Sequence, residues 1–121
     1  PVICPMGKDS KGLKFNINAD EAACFVASKL EAVKFVLLTN VKGVMRDIDD
    51  PNSFLSTITE TEGKQLIKDK VIQEGMIPKI EACFCAVDGG VRKAHIIDAR
   101  ISHALLLEIF TDKGIGTEIV K

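Results

Sequence analysis

The sequence has no tryptophan and no tyrosine, so intrinsic fluorescence from either residue cannot follow ligand binding. It also lacks a dominant charge. The formal net charge is −1, and no global basic field points to nucleic acid or an anionic membrane. Its apolar runs fall far short of the roughly 20 residues that span a bilayer, and no signal-peptide pattern is present. The expectation is a cytoplasmic chain without nucleic-acid or membrane partners. The four cysteines, Cys4, Cys24, Cys83 and Cys85, have no C-x-x-C spacing. Cys83 and Cys85 stand two apart on an expected helix and point in different directions. Buried thiols are expected, in preference to a zinc site or a disulfide.

What is present is enough for one domain. Hydrophobic residues make up 46% of 121, which supports a real core. The chain begins at Pro1, which suggests a fragment or a processed product.

Strand and helix signals alternate along the chain. "PVICP" and "KFNI" read as two strands of a hairpin, joined by the polar turn Gly7–Gly12. Asn18 starts a helix whose apolar positions Ala19, Ala22, Ala23, Val26, Ala27 and Leu30 share one face. "KFVLLT", Lys34 to Thr39, is a continuous apolar run that suits a strand buried on both faces of a parallel sheet. "GVMRDIDDPNSFLST" reads as a loop or irregular hairpin. Thr59 and Glu62 have capping-box spacing before a short helix that ends near Lys70. A helix from about Pro78 to Val87 is stopped by "DGG". "KAHIIDA", Lys93 to Ala99, is a second buried strand. "SHALLLEIF" is a helix capped by Ser102, and "GTEIV" has strand character. The alternation predicts an α/β fold, a three-layer αβα sandwich with a mainly parallel sheet.

Ligands in such sheets bind beyond the carboxyl ends of the strands. "NVKGV" follows the first buried strand, where Gly43 allows close backbone approach to a ligand or simply makes a turn. In "NINAD", Asp20 sits in a first helical turn, where the dipole favours a carboxylate. Asn16 just before it is either a ligand-facing amide or a polar helix entry. "DIDDP" opens like a calcium loop, but Pro51 and Asn52 break that pattern. "GIGT" lacks the third glycine of a dinucleotide fingerprint. His95 lies in an apolar strand and reads as a core or interface histidine, while His103 reads as a surface residue.

Lys79 is a mild misfit, because a helix N-terminus already carries positive charge. An anion between lysine and helix would resolve it, with Gly75 upstream leaving room for the approach. A solvated side chain would resolve it equally well.

"NINAD", "LLTNVKGV", "EGMIPKIEAC", "HIIDAR" and "HALLLEIFTDKGIGT" occur in one order and register over nearly the whole chain. In this they resemble the acetylglutamate kinases of the amino-acid kinase family, and specifically their C-terminal, nucleotide-binding half. The resemblance implies that residues 1–121 form an ATP-binding lobe, with the N-terminal acceptor-substrate lobe absent. The implied reaction transfers the ATP γ-phosphoryl to the side-chain carboxylate of N-acetyl-L-glutamate, in arginine biosynthesis. Carried over by motif, Lys79 contacts the nucleotide and stabilises the phosphoryl in flight. Asp20 orients the catalytic lysine, and Asn16 holds acetylglutamate. Thr39, Asn40, Val41, Gly43, Gly75 and Met76 line the nucleotide pocket. Mg²⁺ is held mainly by the phosphates, without a protein metal site. In arginine-sensitive members, the positions of His95, Glu108, Gly114 and Gly116 form a feedback-inhibitor site, and the parent enzymes are homo-oligomers. One departure stands out: Asn40 occupies a position where the family usually has aspartate. A non-catalytic regulatory domain of the same fold, binding a nucleotide or arginine, is the alternative. This chain alone is expected not to turn over acetylglutamate.

Overall fold

The computed structural model describes residues 1–72 and 74–121. Alternation in "KFVLLT" decides where its strand goes. Phe35, Leu37 and Thr39 are buried on one side, while Lys34 and Leu38 are exposed on the other, so the strand is covered on one face and not on both as its apolar run predicts. This strand, β3 (Lys34–Thr39), follows a hairpin of β1 (Met6–Lys8) and β2 (Lys14–Asn16) and the helix α1 (Ala19–Lys29). The first strand begins later than "PVICP" predicts, because Pro5 has no N–H to contribute to a ladder. Asp9 closes the turn by accepting from the amides of Lys11 and Leu13. Asn18 caps α1 as expected, its Oδ1 accepting from the amides of Asp20 and Glu21.

The Asp-rich segment is the irregular hairpin the sequence allows. Strands β4 (Val44–Met45) and β5 (Phe54–Leu55) pair antiparallel around a loop with a 3₁₀ turn at Pro51–Ser53. Strand β6 (Thr57–Thr59), which the sequence does not announce, follows directly. It leads into α2 (Glu60–Lys68) through a complete capping box between Thr59 and Glu62. The remaining elements are α3 (Ile77–Asp88), β7 (Lys93–Asp98), α4 (Ala104–Phe110) and β8 (Thr117–Val120). Ser102 does not cap α4. The residue before the helix is His103, in a left-handed conformation at φ 57° and without a side-chain cap.

The four-stranded sheet runs β3–β7–β8–β6. Its β3–β7 and β6–β8 pairs are parallel, and β7–β8 is antiparallel, so the sheet is mainly parallel as expected. Strand β7 is buried along five of its six residues, which is why "AHIID" reads as a continuous apolar run. Ile80, Cys83, Ala86, Ala94, Ile96 and Ile119 are fully buried between helices and sheet. Glu108 of α4 meets His95, whose neighbours in the β7 ladder, Ala94 and Ile96, lie on the opposite face.

Helices α1 and α3 lie side by side and parallel. Asp20 meets Lys79, Cys24 meets Cys85, and a Cβ placed on Gly89 would collide with Ser28. The partner stays about 60 residues further along at all three levels. This packing corrects the cysteine expectation: Cys24 and Cys85 form a disulfide, with their Cα atoms 6.4 Å apart. Sequence spacing could not show it, because the two residues meet only through the α1–α3 contact. Of the other cysteines, Cys83 is a buried thiol as expected, but Cys4 is exposed.

Candidate functional site

Only four residues separate the end of α1 from β3, and four separate the end of α3 from β7. Each helix must therefore double back along its strand, so its N-terminus lies over the strand's carboxyl end. That geometry puts Asp20, Lys79, Thr39, Asn40 and Asp98 at one rim of the sheet, the side where α/β ligands bind. Thr39 and Asp98 are register partners across β3 and β7, and Ala99 N–H donates to the Thr39 carbonyl at 2.8 Å.

Lys79 and Asp20 come together. The Lys79 Nζ donates to Asp20 Oδ2 at 3.1 Å, with the side chains 29% and 25% exposed. The misfit of a lysine at a helix start is thus resolved by a carboxylate from the neighbouring helix start. The first turn of α3 offers fewer free amides than the sequence suggested. The Ile77 N–H donates to the Glu74 carbonyl and the Lys79 N–H to the Met76 carbonyl, and Pro78 has no N–H. The ammonium of Lys79, more than the helix backbone, is the group available to an anion there.

The other expected nucleotide residues divide. Asn40 is exposed at the rim. Thr39 is buried, and its hydroxyl closes the turn by accepting from Val41 N–H at 3.1 Å, with the Val41 carbonyl 3.0 Å away. Gly43 is explained from within the fold. Its φ is +138°, and a Cβ there would lie 2.5 Å from Thr117 Oγ1 and 2.9 Å from Phe54. Gly75 is exposed with open space around it, and Met76 is half-buried at the entry to α3. Asn16 ends β2 on an exposed hairpin, paired with Met6.

Sequence reasoning missed a further pair at the rim. Arg100 clasps Asp98 with two parallel bonds, Nε to Oδ1 at 2.9 Å and Nη2 to Oδ2 at 2.8 Å. Its amide also donates to Oδ1. The Arg100 guanidinium and amide hold the Asp98 carboxyl down at about 2, with Lys42 contributing. The readable signal was an aspartate ending a buried strand with an arginine two residues on.

The opposite face of the sheet holds a second constellation. His95 Nδ1 lies 2.7 Å from Glu108 Oε1, and both side chains are 4% exposed. Glu108 Oε2 accepts from the amides of Ile115 and Gly116 at 2.6 and 2.8 Å. Burial alone would raise the Glu108 carboxyl, but these amides and His95 together outweigh it and hold the group below the usual range. Gly114, at φ +58°, lets the loop wrap the carboxylate, since a Cβ there would lie 2.7 Å from Oε2. His95 Nε2 is buried without a partner among the described residues. The pair borders a groove of about 640 Å³ whose charged rim includes Lys34, Lys93, Asp112 and Glu118. All four residues expected for an inhibitor site therefore meet in one place.

No group of three or more histidine, cysteine, aspartate or glutamate side chains suited to a metal occurs among the described residues. No helix among them is long and apolar enough to cross a membrane.

Comparison with known proteins agrees with this architecture. Acetylglutamate kinase of Symbiobacterium thermophilum is 52% identical over 121 residues, all of this chain and 41% of that protein. Acetylglutamate kinase of Methanosarcina barkeri is 50% identical, over all of this chain and 38% of its own length. The chain thus spans about two fifths of the curated relatives it matches. Among solved structures, N-acetylglutamate synthase from Neisseria gonorrhoeae, complexed with coenzyme A and L-arginine, superimposes with a TM-score of 0.85. It is 33% identical, over 97% of this chain and 26% of that one. Carbamate kinase from Giardia lamblia, bound to AMP-PNP, shares the fold with a TM-score of 0.71 at 24% identity. There the match covers 96% of this chain and 37% of that one. The sequence pattern of the amino acid kinase family matches residues 1–98, from the first hairpin to the end of β7, and the chain belongs to that family.

Proposed function

We propose that residues 1–121 are the nucleotide-binding lobe of an N-acetyl-L-glutamate kinase. The observation that carries this reading is the Lys79–Asp20 pair at the ends of two parallel helices. Phosphoryl transfer needs positioned positive charge more than covalent chemistry from the protein. Lys79, still 29% exposed, keeps a face of its ammonium open to a phosphate while Asp20 fixes its direction. Lys42 and the exposed Asn40 flank the same rim and suit a polyphosphate. Relatives named acetylglutamate kinase, about 50% identical over this whole chain, support the substrate assignment.

In this reading Lys79 stabilises charge on the γ-phosphoryl as it leaves the nucleotide. Asp20 holds Lys79 in place, and Asn16 faces the acetylglutamate side. Mg²⁺ neutralises phosphate charge and is held mainly by the phosphates, since the rim carboxylates Asp20 and Asp98 are already engaged by Lys79 and Arg100. The acceptor lobe lies outside these residues, so the chain by itself binds nucleotide without turning over acetylglutamate. The working protein is a cytoplasmic homo-oligomeric enzyme of arginine biosynthesis.

A second reading rests on the other face. The His95–Glu108 pair, the buried unpartnered Nε2 and the charged groove suit a guanidinium ligand such as arginine. The Neisseria synthase of the same fold is described in complex with L-arginine. Here the domain regulates, with or without nucleotide.

Calorimetry separates the two. MgATP binding to the chain that is lost in Lys79→Ala and kept in Glu108→Gln supports the nucleotide lobe. Arginine binding that disappears in Glu108→Gln, with no MgATP binding in the wild type, replaces it with the regulatory reading.

A further inference from the structure

The disulfide sits between the two ends of the α1–α3 contact. Cys24 lies one helical turn past Asp20, and Cys85 lies six residues past Lys79. The ion pair is at one end of the interface, and the close approach of Gly89 to Ser28 is at the other. The two residues differ in exposure: Cys24 is 1% exposed, whereas Cys85 is exposed. An incoming thiol therefore approaches the bond from the Cys85 side.

We propose that Cys24–Cys85 is a thiol–disulfide exchange site for a dithiol reductant, through which the redox state of the chain sets how firmly α1 holds α3 and aligns Asp20 with Lys79. A thiolate of the dithiol attacks Cys85 Sγ and forms a mixed disulfide. The Cys24–Cys85 bond breaks, and Cys24 leaves as a thiolate that takes up a proton. The second thiol of the reductant, as its thiolate, attacks its own sulfur in the mixed disulfide and releases Cys85, which is protonated in turn. Two electrons and two protons pass to the cysteine pair, and the dithiol becomes a disulfide. A disulfide of the same class runs the sequence backwards.

Cys83 takes no part. It is fully buried, and burial, with the Asp20 charge nearby, pushes its thiol up to about 12, so it is not a nucleophile at neutral pH. The pair bridges 61 residues of sequence. Closing so long a loop constrains the unfolded chain strongly, so reduction has a measurable effect on stability. In reducing compartments, disulfides that do form are characteristically redox-active rather than permanent. The exchange site stands without the nucleotide reading; only its effect on MgATP affinity rests on it.

The test compares the 121-residue chain oxidised by glutathione disulfide with the same chain reduced by dithiothreitol. Peptide mapping after alkylation should find Cys24 linked to Cys85 in the oxidised form, with Cys83 alkylated only after unfolding. Reduction should lower the thermal midpoint by about 10 °C and speed amide exchange in α1 and the first turns of α3. The Cys24→Ala/Cys85→Ser chain should match the reduced wild type and ignore dithiothreitol. MgATP should bind the oxidised form several-fold more tightly. Linkage of another pair, no linkage, or equal midpoints and exchange in the two forms overturns the proposal. A midpoint shift with equal MgATP affinities overturns the coupling to Asp20 and Lys79. If MgATP binds neither form, the nucleotide reading fails, and the mapping and amide-exchange results still decide this one.

Discussion

Lys79 and Asp20 lie 59 residues apart in sequence and 3.1 Å apart in space, each at the start of its own helix. Alone, a lysine in a first helical turn is repelled by the dipole, and an aspartate there is attracted. Side by side, the aspartate offsets the charge at both helix ends. The pair is open enough to water that its own contribution to stability is small, below about 1 kcal/mol.

That small contribution gives a sharp expectation for Lys79→Met. The urea midpoint should move by the equivalent of less than about 1 kcal/mol, because the lost ion pair is partly balanced by relief at the helix end. MgATP affinity should fall ~10- to 100-fold, the effect of losing a charge-assisted hydrogen bond to phosphate. Paired denaturation and calorimetry check both halves. A large loss of stability with unchanged affinity would make the pair purely structural.

The elements around this rim were legible in the sequence, and the contacts between their side chains were not. Capping at Asn18 and the Thr59–Glu62 box follow from local spacing, so α1 and α2 start where the sequence says. The buried runs of β3 and β7 announced a parallel pair. Strand β6 did not announce itself: three residues beginning in Thr57 gain strand identity only by pairing with β8, about 60 positions away. The same holds for Cys24 with Cys85, 61 residues apart. Each depends on where packed elements bring side chains, which spacing along one chain does not encode. Gly43 shows the converse. Its position at a strand end left open a ligand's approach or a simple turn, and the atoms it makes room for within the fold belong to Thr117 and Phe54.

This second reading of Gly43 has a direct consequence. In Gly43→Ala the new Cβ meets Thr117 Oγ1 and Phe54, and the backbone at φ +138° disfavours any L side chain. Thr117 Oγ1 also accepts from Val44 N–H at 2.8 Å and donates to the Leu55 carbonyl at 2.7 Å, so it cannot move away freely. Strain and overpacking together should cost about 2–4 kcal/mol, read as a lower urea midpoint without ligand. A variant of wild-type stability with weakened MgATP binding would restore the ligand-approach reading.

Acid should unfold the chain partly through Asp98. Arg100 lowers its carboxyl from 3.8 to about 2, and Glu108 is lowered by the amides around it. A folded-state value below the unfolded one means that the unfolded chain binds the proton more readily. The stabilisation is therefore complete above about pH 4. It declines as pH falls, and for Asp98 it is gone once pH has passed through about 2. Urea midpoints measured from pH 6 to pH 2 should hold steady at first and then drop below pH 4. Asp98→Asn should lower the midpoint at pH 7, because an amide cannot accept the guanidinium through two oxygens. It should also flatten the acid slope by up to one proton's worth. The flattening separates the two roles open to Asp98. A side chain that merely packs would lower the midpoint equally at every pH, whereas a carboxylate held ionised by Arg100 loses its advantage only in acid. Parallel curves for wild type and Asp98→Asn between pH 6 and pH 2 would remove the Arg100 clasp as the source of acid sensitivity.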